Sequence, residues 1–247
     1  MRIVLLGPPG VGKGSLASLY RSRLNLTHLS TGEIFRSEIA RRTALGRRVQ
    51  RMVASGHLVP DPLVVQVMAK RLTRRTLTQG CVLDGFPRTA GQAAGLDRVL
   101  RERRLPLDGA IYLAAPETLL VRRLSGRRVC GACGATYNIR TMRPKRAGWC
   151  DRCGNRLVIR KDDEPATIRK RLAIDRKVAA PLLEHYRRGG ALHRLDASGS
   201  IDTVFQRSVR LFDRLGWLRH DPTTCRGLPK AIRPRWGLPS ANRQVVG

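Results

Sequence analysis

"GPPGVGKGS", residues 7–15, decides how the rest of the chain is read. A phosphate-binding loop usually runs G-x-x-x-x-G-K-[ST], with the hydroxyl residue directly after the lysine. Here Gly7, Gly12 and Lys13 keep that spacing, but Gly14 follows the lysine and Ser15 comes one place later. The stretch leaves the apolar run Ile3–Leu6 and opens a helical pattern from about Lys13 to Arg23, the setting such a loop requires. Backbone N–H groups in a glycine-rich turn at a helix N-terminus form an anion site, and Lys13 adds a point charge for β- and γ-phosphates. The dinucleotide pattern G-x-G-x-x-G fails, because Ser15 stands where its third glycine belongs. A tight structural turn is the plainer reading, but the strand before and the helix after favour nucleotide binding.

Outward from this loop, four further apolar runs read as strands: Thr27–Leu29, Cys81–Leu83, Ala110–Leu113 and Leu192–Leu195. Strands alternating with helical patterns predict a parallel sheet covered on both faces. Ser30-Thr-Gly-Glu33 is a capping box that starts a helix around Thr31. From Gly126 to about Asp163 the apolar periodicity fails, which marks a small insertion with a staple of its own. Beyond Trp217 it fails again: residues 218–247 hold four prolines, six basic side chains and one acid, and read as an irregular tail.

At 247 residues, one main domain is expected. The composition, 42% apolar but only 4% aromatic, suits an aliphatic α/β core. No apolar run approaches the ~18–20 residues that span a bilayer, and Ile3–Leu6 is too short for a signal peptide, so a soluble cytoplasmic protein is expected. The formal charge of +30 attracts nucleic acid, acidic membranes or phosphorylated small molecules. Only seven of the 48 basic residues are lysines; arginine excess runs through every segment, so charge alone names no partner.

The six cysteines are more specific. Cys130-x-x-Cys133 and Cys150-x-x-Cys153, sixteen residues apart, have the spacing of a tetrahedral zinc site. Four protein ligands leave no open position, so the zinc would be structural and would supply the folding energy of an insertion too small for its own core. Cys81 and Cys225 read as bystanders. His28, His185 and His193 have no matching partners in the sequence and read as structural.

"LDGFPRTAGQ", residues 83–92, leaves the third strand at its carboxyl end, where ligands sit in open α/β sheets. Asp84 is placed to hold magnesium through water, Arg88 offers a planar fork for a second phosphate, and Gln92 can read a base edge.

GPPGVGKGS, STGEIFR (30–36), GHLVPD (56–61), LDGFPRT (83–89), GRRVCGACG (126–134) and RKDDEPATIRKRL (160–172), in this order, resemble the adenylate kinase family in its bacterial long-lid, zinc-containing form. The likeness runs from Met1 to about Leu215 and accounts for the loop: the family's version resembles G-x-P-G-x-G-K-G-T, with Ser15 here for the threonine. It implies a P-loop three-layer α/β fold with a five-stranded parallel sheet. The core would comprise 1–29, 60–125 and 164–216, with a helical AMP-binding arm at 30–59, a zinc-stapled lid at 126–163 and a basic tail at 217–247.

The resemblance also implies two nucleotide sites. Gly10, Val11, Gly12, Lys13, Gly14 and Ser15 would wrap the ATP phosphates, with Arg123, Arg127, Thr136, Tyr137 and the backbone at Gly199 completing that site. Thr31, Arg36, His57, Leu58, Val59, Gly85, Phe86, Pro87, Arg88 and Gln92 would hold AMP. Arg160 and Arg171 would clamp the phosphates between the two, and Asp162 and Asp163 resemble the acids that engage those arginines as the lid closes. Lys13, Asp84, Arg88, Arg123, Arg160 and Arg171 would carry catalysis. One departure is Asp196-Ala197, where the family usually has Asp-Gly; another is His57, where it often has lysine. The implied reaction is ATP + AMP ⇌ 2 ADP with Mg²⁺, by a monomer serving adenine nucleotide homeostasis. Alternatives are a kinase for another monophosphate or one using GTP, and, in a different class, a basic zinc-ribbon module binding nucleic acid or another polyanion beside a vestigial site.

Overall fold

Residues 2–6 are buried along their whole length, as expected of a central strand with both faces covered. Their side chains alternate between two cores: Ile3 and Leu5 face one, Val4 and Leu6 the other. The computed structural model describes residues 1–54, 59–159, 163 and 165–218.

The chain begins with β1 (Arg2–Leu6), α1 (Lys13–Leu24), β2 (Thr27–Ser30), α2 (Thr31–Ala40) and α3 (Ala44–Ala54). Next come α4 (Asp61–Arg71), α5 (Arg74–Gln79), β3 (Cys81–Asp84), α6 (Ala90–Glu102), β4 (Gly109–Ala114) and α7 (Glu117–Ser125). A small ribbon holds β5 (Arg127–Cys130), β6 (Thr136–Asn138) and β7 (Leu157–Val158), and α8 (Pro165–Arg188), β8 (Leu192–Asp196) and α9 (Ile201–Arg214) close the fold.

Five strands form one parallel sheet in the order β2-β3-β1-β4-β8. All five strands expected from the sequence are in it. One face is covered by α1, α7 and α9 through Leu16, Tyr20, Leu124, Phe205 and Phe212; the other by α4, α6 and α8 through Met68, Leu96 and Tyr186. The parallel register aligns the carboxyl ends of the strands, with Leu5 and Ser30 both beside Asp84. The loop after β1, the turn after β3 and the start of α2 therefore share one edge, beside the point where strand order reverses around β1.

Ser30 caps α2 by accepting the Glu33 N–H at 3.4 Å, as the capping box predicts. The insertion beyond Gly126 contains an antiparallel sheet, β6-β5-β7, that hydrophobic periodicity did not reveal. Strands of two to four residues offer no period to read, and cysteines rather than a core hold them. Among the described residues, no helix is long and apolar enough to cross a membrane. The irregular tail expected beyond Trp217 lies, from residue 219 on, outside the described residues.

Candidate active site

The loop after β1 wraps into α1 with Gly12 as its N-cap and no side-chain cap, so the N–H groups of Lys13, Gly14 and Ser15 have no intrahelical acceptor. Gly10 sits at φ +81°, and a Cβ there would lie 2.7 Å from Leu124 Cγ, so the loop closes against α7 only with glycine. Gly14 answers a different demand. A Cβ at this position would lie 3.3 Å from Asp84 Oδ2, so the missing side chain lets the carboxylate at the end of β3 approach the first turn of α1. That is a physical reason for glycine where the commoner loop has its hydroxyl residue.

Lys13 is folded back on its own loop, donating to Gly7 O at 2.5 Å and Pro8 O at 3.1 Å. Burial pulls its ammonium down to about 8, against the attraction of Asp84 and Asp175 and with the repulsion of Arg88 and Arg171. The donor set suits a hard divalent cation on the Asp84 side: a carboxylate oxygen at the mouth of a backbone anion cradle is the chemistry of magnesium held through water. His28 Nε2 lies 3.4 Å from the same oxygen, yet without hydrogen-bond geometry.

Across this edge, Thr31 Oγ1 donates to Gly85 O at 2.8 Å, joining α2 to the turn after β3. Phe86-Pro87 is a cis peptide, and both side chains are buried. Arg88 is exposed and its Nε donates to Gly85 O at 3.0 Å. Gln92 is buried, with Oε1 accepting from Arg88 N at 2.9 Å and Nε2 donating to Asp61 Oδ1 at 2.8 Å. One amide hydrogen is left for a base edge. Thr89 donates to the other Asp61 oxygen at 2.6 Å, so Asp61 pins the end of the 30–59 segment to the start of α6. Arg36 is exposed, with its guanidinium 3.0 Å from where a Gly32 Cβ would stand, and Val59 packs on the α4–α6 core. His57 and Leu58 lie outside the described residues.

Arg123 bridges two distant turns, donating to Val11 O at 3.1 Å and Gly199 O at 2.8 Å. Burial lowers its affinity for its proton, so these carbonyls matter to its placement. Beside Gly199, Ala197 is buried, bonds to Ala114 O at 2.8 Å and stays out of the left-handed region, so alanine fits without strain where glycine was expected. Asp163, its side chain fully buried, grips Arg127 through both carboxylate oxygens and accepts from Arg171 at 3.2 Å. Arg160 and Asp162 lie outside the described residues.

Asp175, one helical turn beyond Arg171 on α8, is a candidate site residue that the sequence did not single out. Burial pushes its carboxyl up, while the charges of Lys13, Arg88 and Arg171, from three different elements, pull it down. The i,i+4 spacing from Arg171 was the available signal. The histidines have partners that sequence distance had hidden: His185 Nε2 meets Asp97 at 2.7 Å, His28 faces Asp84, and His193 packs edge-on to Trp217.

The sulfurs of Cys130, Cys133, Cys150 and Cys153 lie within 4.8 Å of one another. A tetrahedron with ~2.3 Å zinc–sulfur bonds spaces sulfurs by about 3.8 Å, so the cluster fits. Burial opposes ionisation of Cys150, but the Tyr137 hydroxyl and the N–H groups of Arg152 and Cys153 hold it down at about 6. Against its bond to the Ala135 backbone, burial and the other three sulfurs push Cys133 up to about 12. Four sulfurs so close accept a fourth negative charge only with a cation among them. Tyr137 Oη lies 3.5 Å from Cys150 Sγ and accepts from Asp151 N, which commits the hydroxyl to the cluster, while its backbone pairs with Arg128 and Thr136 beside it is exposed. Cys81 is a buried strand residue; Cys225 lies outside the described residues.

A phosphate loop, an acid at the end of the neighbouring strand and arginines converging from α8 and the β3 turn define a nucleotide phosphotransferase on a parallel α/β sheet. The family model described as adenylate kinase matches residues 5–191. The chain is 43% identical over 214 residues to an adenylate kinase of Clostridium botulinum (strain 657 / Type Ba4), covering 87% of this chain and 99% of that one. It is 46% identical to that of Moorella thermoacetica over the same shares, and 40% identical to that of Lachnospira eligens over 85% of this chain and 99% of the relative. The chain belongs to the adenylate kinase family, and its cysteine cluster supports the zinc-containing form. It is accordingly an enzyme of nucleoside monophosphate phosphotransfer.

Proposed function

We propose that the protein catalyses ATP + AMP ⇌ 2 ADP with Mg²⁺ in the cytoplasm, as a monomer maintaining the balance of adenine nucleotides. The observation that carries the proposal is the uncapped first turn of α1 with Lys13 folded on its loop and the Asp84 carboxylate at its mouth, because two polyanions react only where their mutual repulsion is neutralised. On this reading the Gly10–Ser15 amides and Lys13 hold the ATP phosphates, and Arg123 fixes the loop against the Gly199 turn on the adenine side. Thr31, Arg36, the Gly85–Arg88 segment and Gln92 receive AMP. Asp84 would hold magnesium beside the loop, where the ion would supply charge neutralisation for the ATP phosphates.

The AMP phosphate is already anionic at neutral pH and needs no general base. Transfer passes through a loose transition state, so alignment and positive charge are the enzyme's contribution. Before closure, Asp163 keeps Arg127 and Arg171 apart from substrate; phosphates arriving at the cleft compete for those guanidiniums. Closing the cysteine ribbon and the 30–59 arm over the core then excludes water, which would otherwise hydrolyse ATP. The adenine preference is supported by Thr31 and by the one free amide hydrogen of Gln92.

A coupled assay with ATP, Mg²⁺ and each of AMP, GMP, CMP and UMP tests this, beside a Lys13→Ala control. Rapid ADP formation with AMP alone, lost in the control, is the expected result. Equal turnover of another monophosphate would replace the acceptor, and preference for GTP would replace the donor.

A further inference from the structure

The cysteine ribbon carries more charge than nucleotide binding uses. Residues 126–159 hold eight basic side chains and one acid, Asp151, and even with four thiolates around Zn²⁺ counted as −2 they carry a net +5 in 34 residues. Arg127 is engaged by Asp163 and Arg128 bonds to nearby carbonyls. The other six, Arg140, Arg143, Lys145, Arg146, Arg152 and Arg156, are exposed, and none has a carboxylate partner among the described residues. Asp151 is itself turned to the backbone, accepting from Lys145 N at 2.9 Å. Such crowding raises self-repulsion within a segment that has little core to oppose it.

Within this group the guanidiniums are ordered on an aromatic ring. Arg146 lies over Trp149 at 4.8 Å from the ring centre and Arg156 at 5.3 Å. The chain imposes both positions: Trp149 N bonds to Arg146 O at 3.1 Å in a turn, and Trp149 pairs with Arg156 in an antiparallel bridge beside the cysteines. Trp149 is thereby half-buried beneath two guanidiniums, next to the cysteine cluster. A guanidinium stacked on an indole has an outer face for a base and N–H groups at its edge for phosphate.

We propose that this arginine-covered ribbon is a binding surface for single-stranded RNA, separate from the nucleotide cleft. Unpaired arginines track the phosphate backbone, and the Arg146–Trp149–Arg156 stack receives a base. A membrane fits less well: the indole is covered by arginine rather than free to enter lipid, and five of the six cations are planar guanidiniums rather than ammonium groups.

The test uses the full-length, zinc-loaded protein and a fluorescently labelled 20-nucleotide oligouridylate, read by anisotropy from 50 to 200 mM salt. Six contacts to a single strand give a log–log salt slope of about −4, or roughly a 300-fold loss of affinity over that range. The variant Arg140→Gln/Arg143→Gln/Arg146→Gln/Arg156→Gln should keep its zinc and its phosphotransfer rate while the slope flattens by about 3. Arg146→Lys/Arg156→Lys keeps the charge and should keep the slope, but lose about fivefold or more in affinity through the missing stack. Wild-type slope and affinity in the fourfold variant would overturn the proposal, since the charge elsewhere would then suffice. So would inorganic polyphosphate of equal charge competing as well as RNA, or ribbon-dependent capture by vesicles containing phosphatidylserine without RNA binding. The phosphotransfer rate, measured on the same samples, separates failure here from failure of the kinase reading.

Discussion

Replacing Lys13 with methionine should make the nucleotide-free protein more stable while destroying its activity. The ammonium is half-buried against its own loop, and desolvation lowers its pKa from 10.5 to about 8. At ~1.36 kcal/mol per unit, keeping it charged in the fold costs about 3 kcal/mol. A folded-state pKa below the unfolded value means that the unfolded chain binds more protons between pH 8 and 10.5. Stability therefore rises with pH through that window, and below pH 8 the penalty is present in full. Methionine has similar reach and no charge, so it relieves the penalty but leaves Gly7 O and Pro8 O without the ammonium, at roughly 1 kcal/mol together once water reaches them. The expected net gain is about 1–2 kcal/mol at pH 7, fading toward zero near pH 10 as wild-type Lys13 loses its proton. Urea unfolding followed by circular dichroism at pH 7, 8.5 and 9.5 reads this directly, and saturating ATP should reverse the order because only wild type repairs the ammonium with phosphate. A methionine variant less stable than wild type at pH 7, or an advantage that ignores pH, would refute the argument that burial dominates at Lys13. The assay of phosphotransfer should fall at least ~10²-fold in the same variant.

Gly14→Ala forces Asp84 back by a few tenths of an ångström, so kcat should drop about tenfold while urea stability changes by less than ~1 kcal/mol; unchanged turnover would mean that the 3.3 Å approach is incidental. Asp163→Asn removes the acid shared by Arg127 and Arg171, and should lower stability by about 1–3 kcal/mol and raise the apparent affinity for ATP, which calorimetric titration would detect. Cys153→Ser should abolish stoichiometric zinc by elemental analysis and lower the melting temperature by several degrees; full zinc retention would break the four-thiolate assignment. Arg123→Gln loses the clamp between Val11 O and Gly199 O, so KM for ATP should rise about tenfold with KM for AMP unmoved.

The parts of this protein written in adjacent residues were legible from the chain alone. An unbroken apolar run followed by glycines and Lys13 specifies a buried strand and an anion-binding turn, because strand burial and helix-end amides are local properties. Four cysteines in two close pairs likewise specify their own metal chemistry. The ribbon's strands were not legible, since two to four residues carry no periodicity. Neither was the partnership of His185 with Asp97, 88 positions away. Asp175 belongs to no motif in the sequence, and only packing brings it within electrostatic reach of Lys13, Arg88 and Arg171. Gly14 is the sharpest division between the two kinds of knowledge. Its presence after the lysine was plain in the sequence, but its reason is a carboxylate from residue 84 that only the parallel pairing of β1 with β3 brings within reach. Local patterns depend on neighbours along the chain; charge, burial and close approach depend on which distant segments the sheet places side by side.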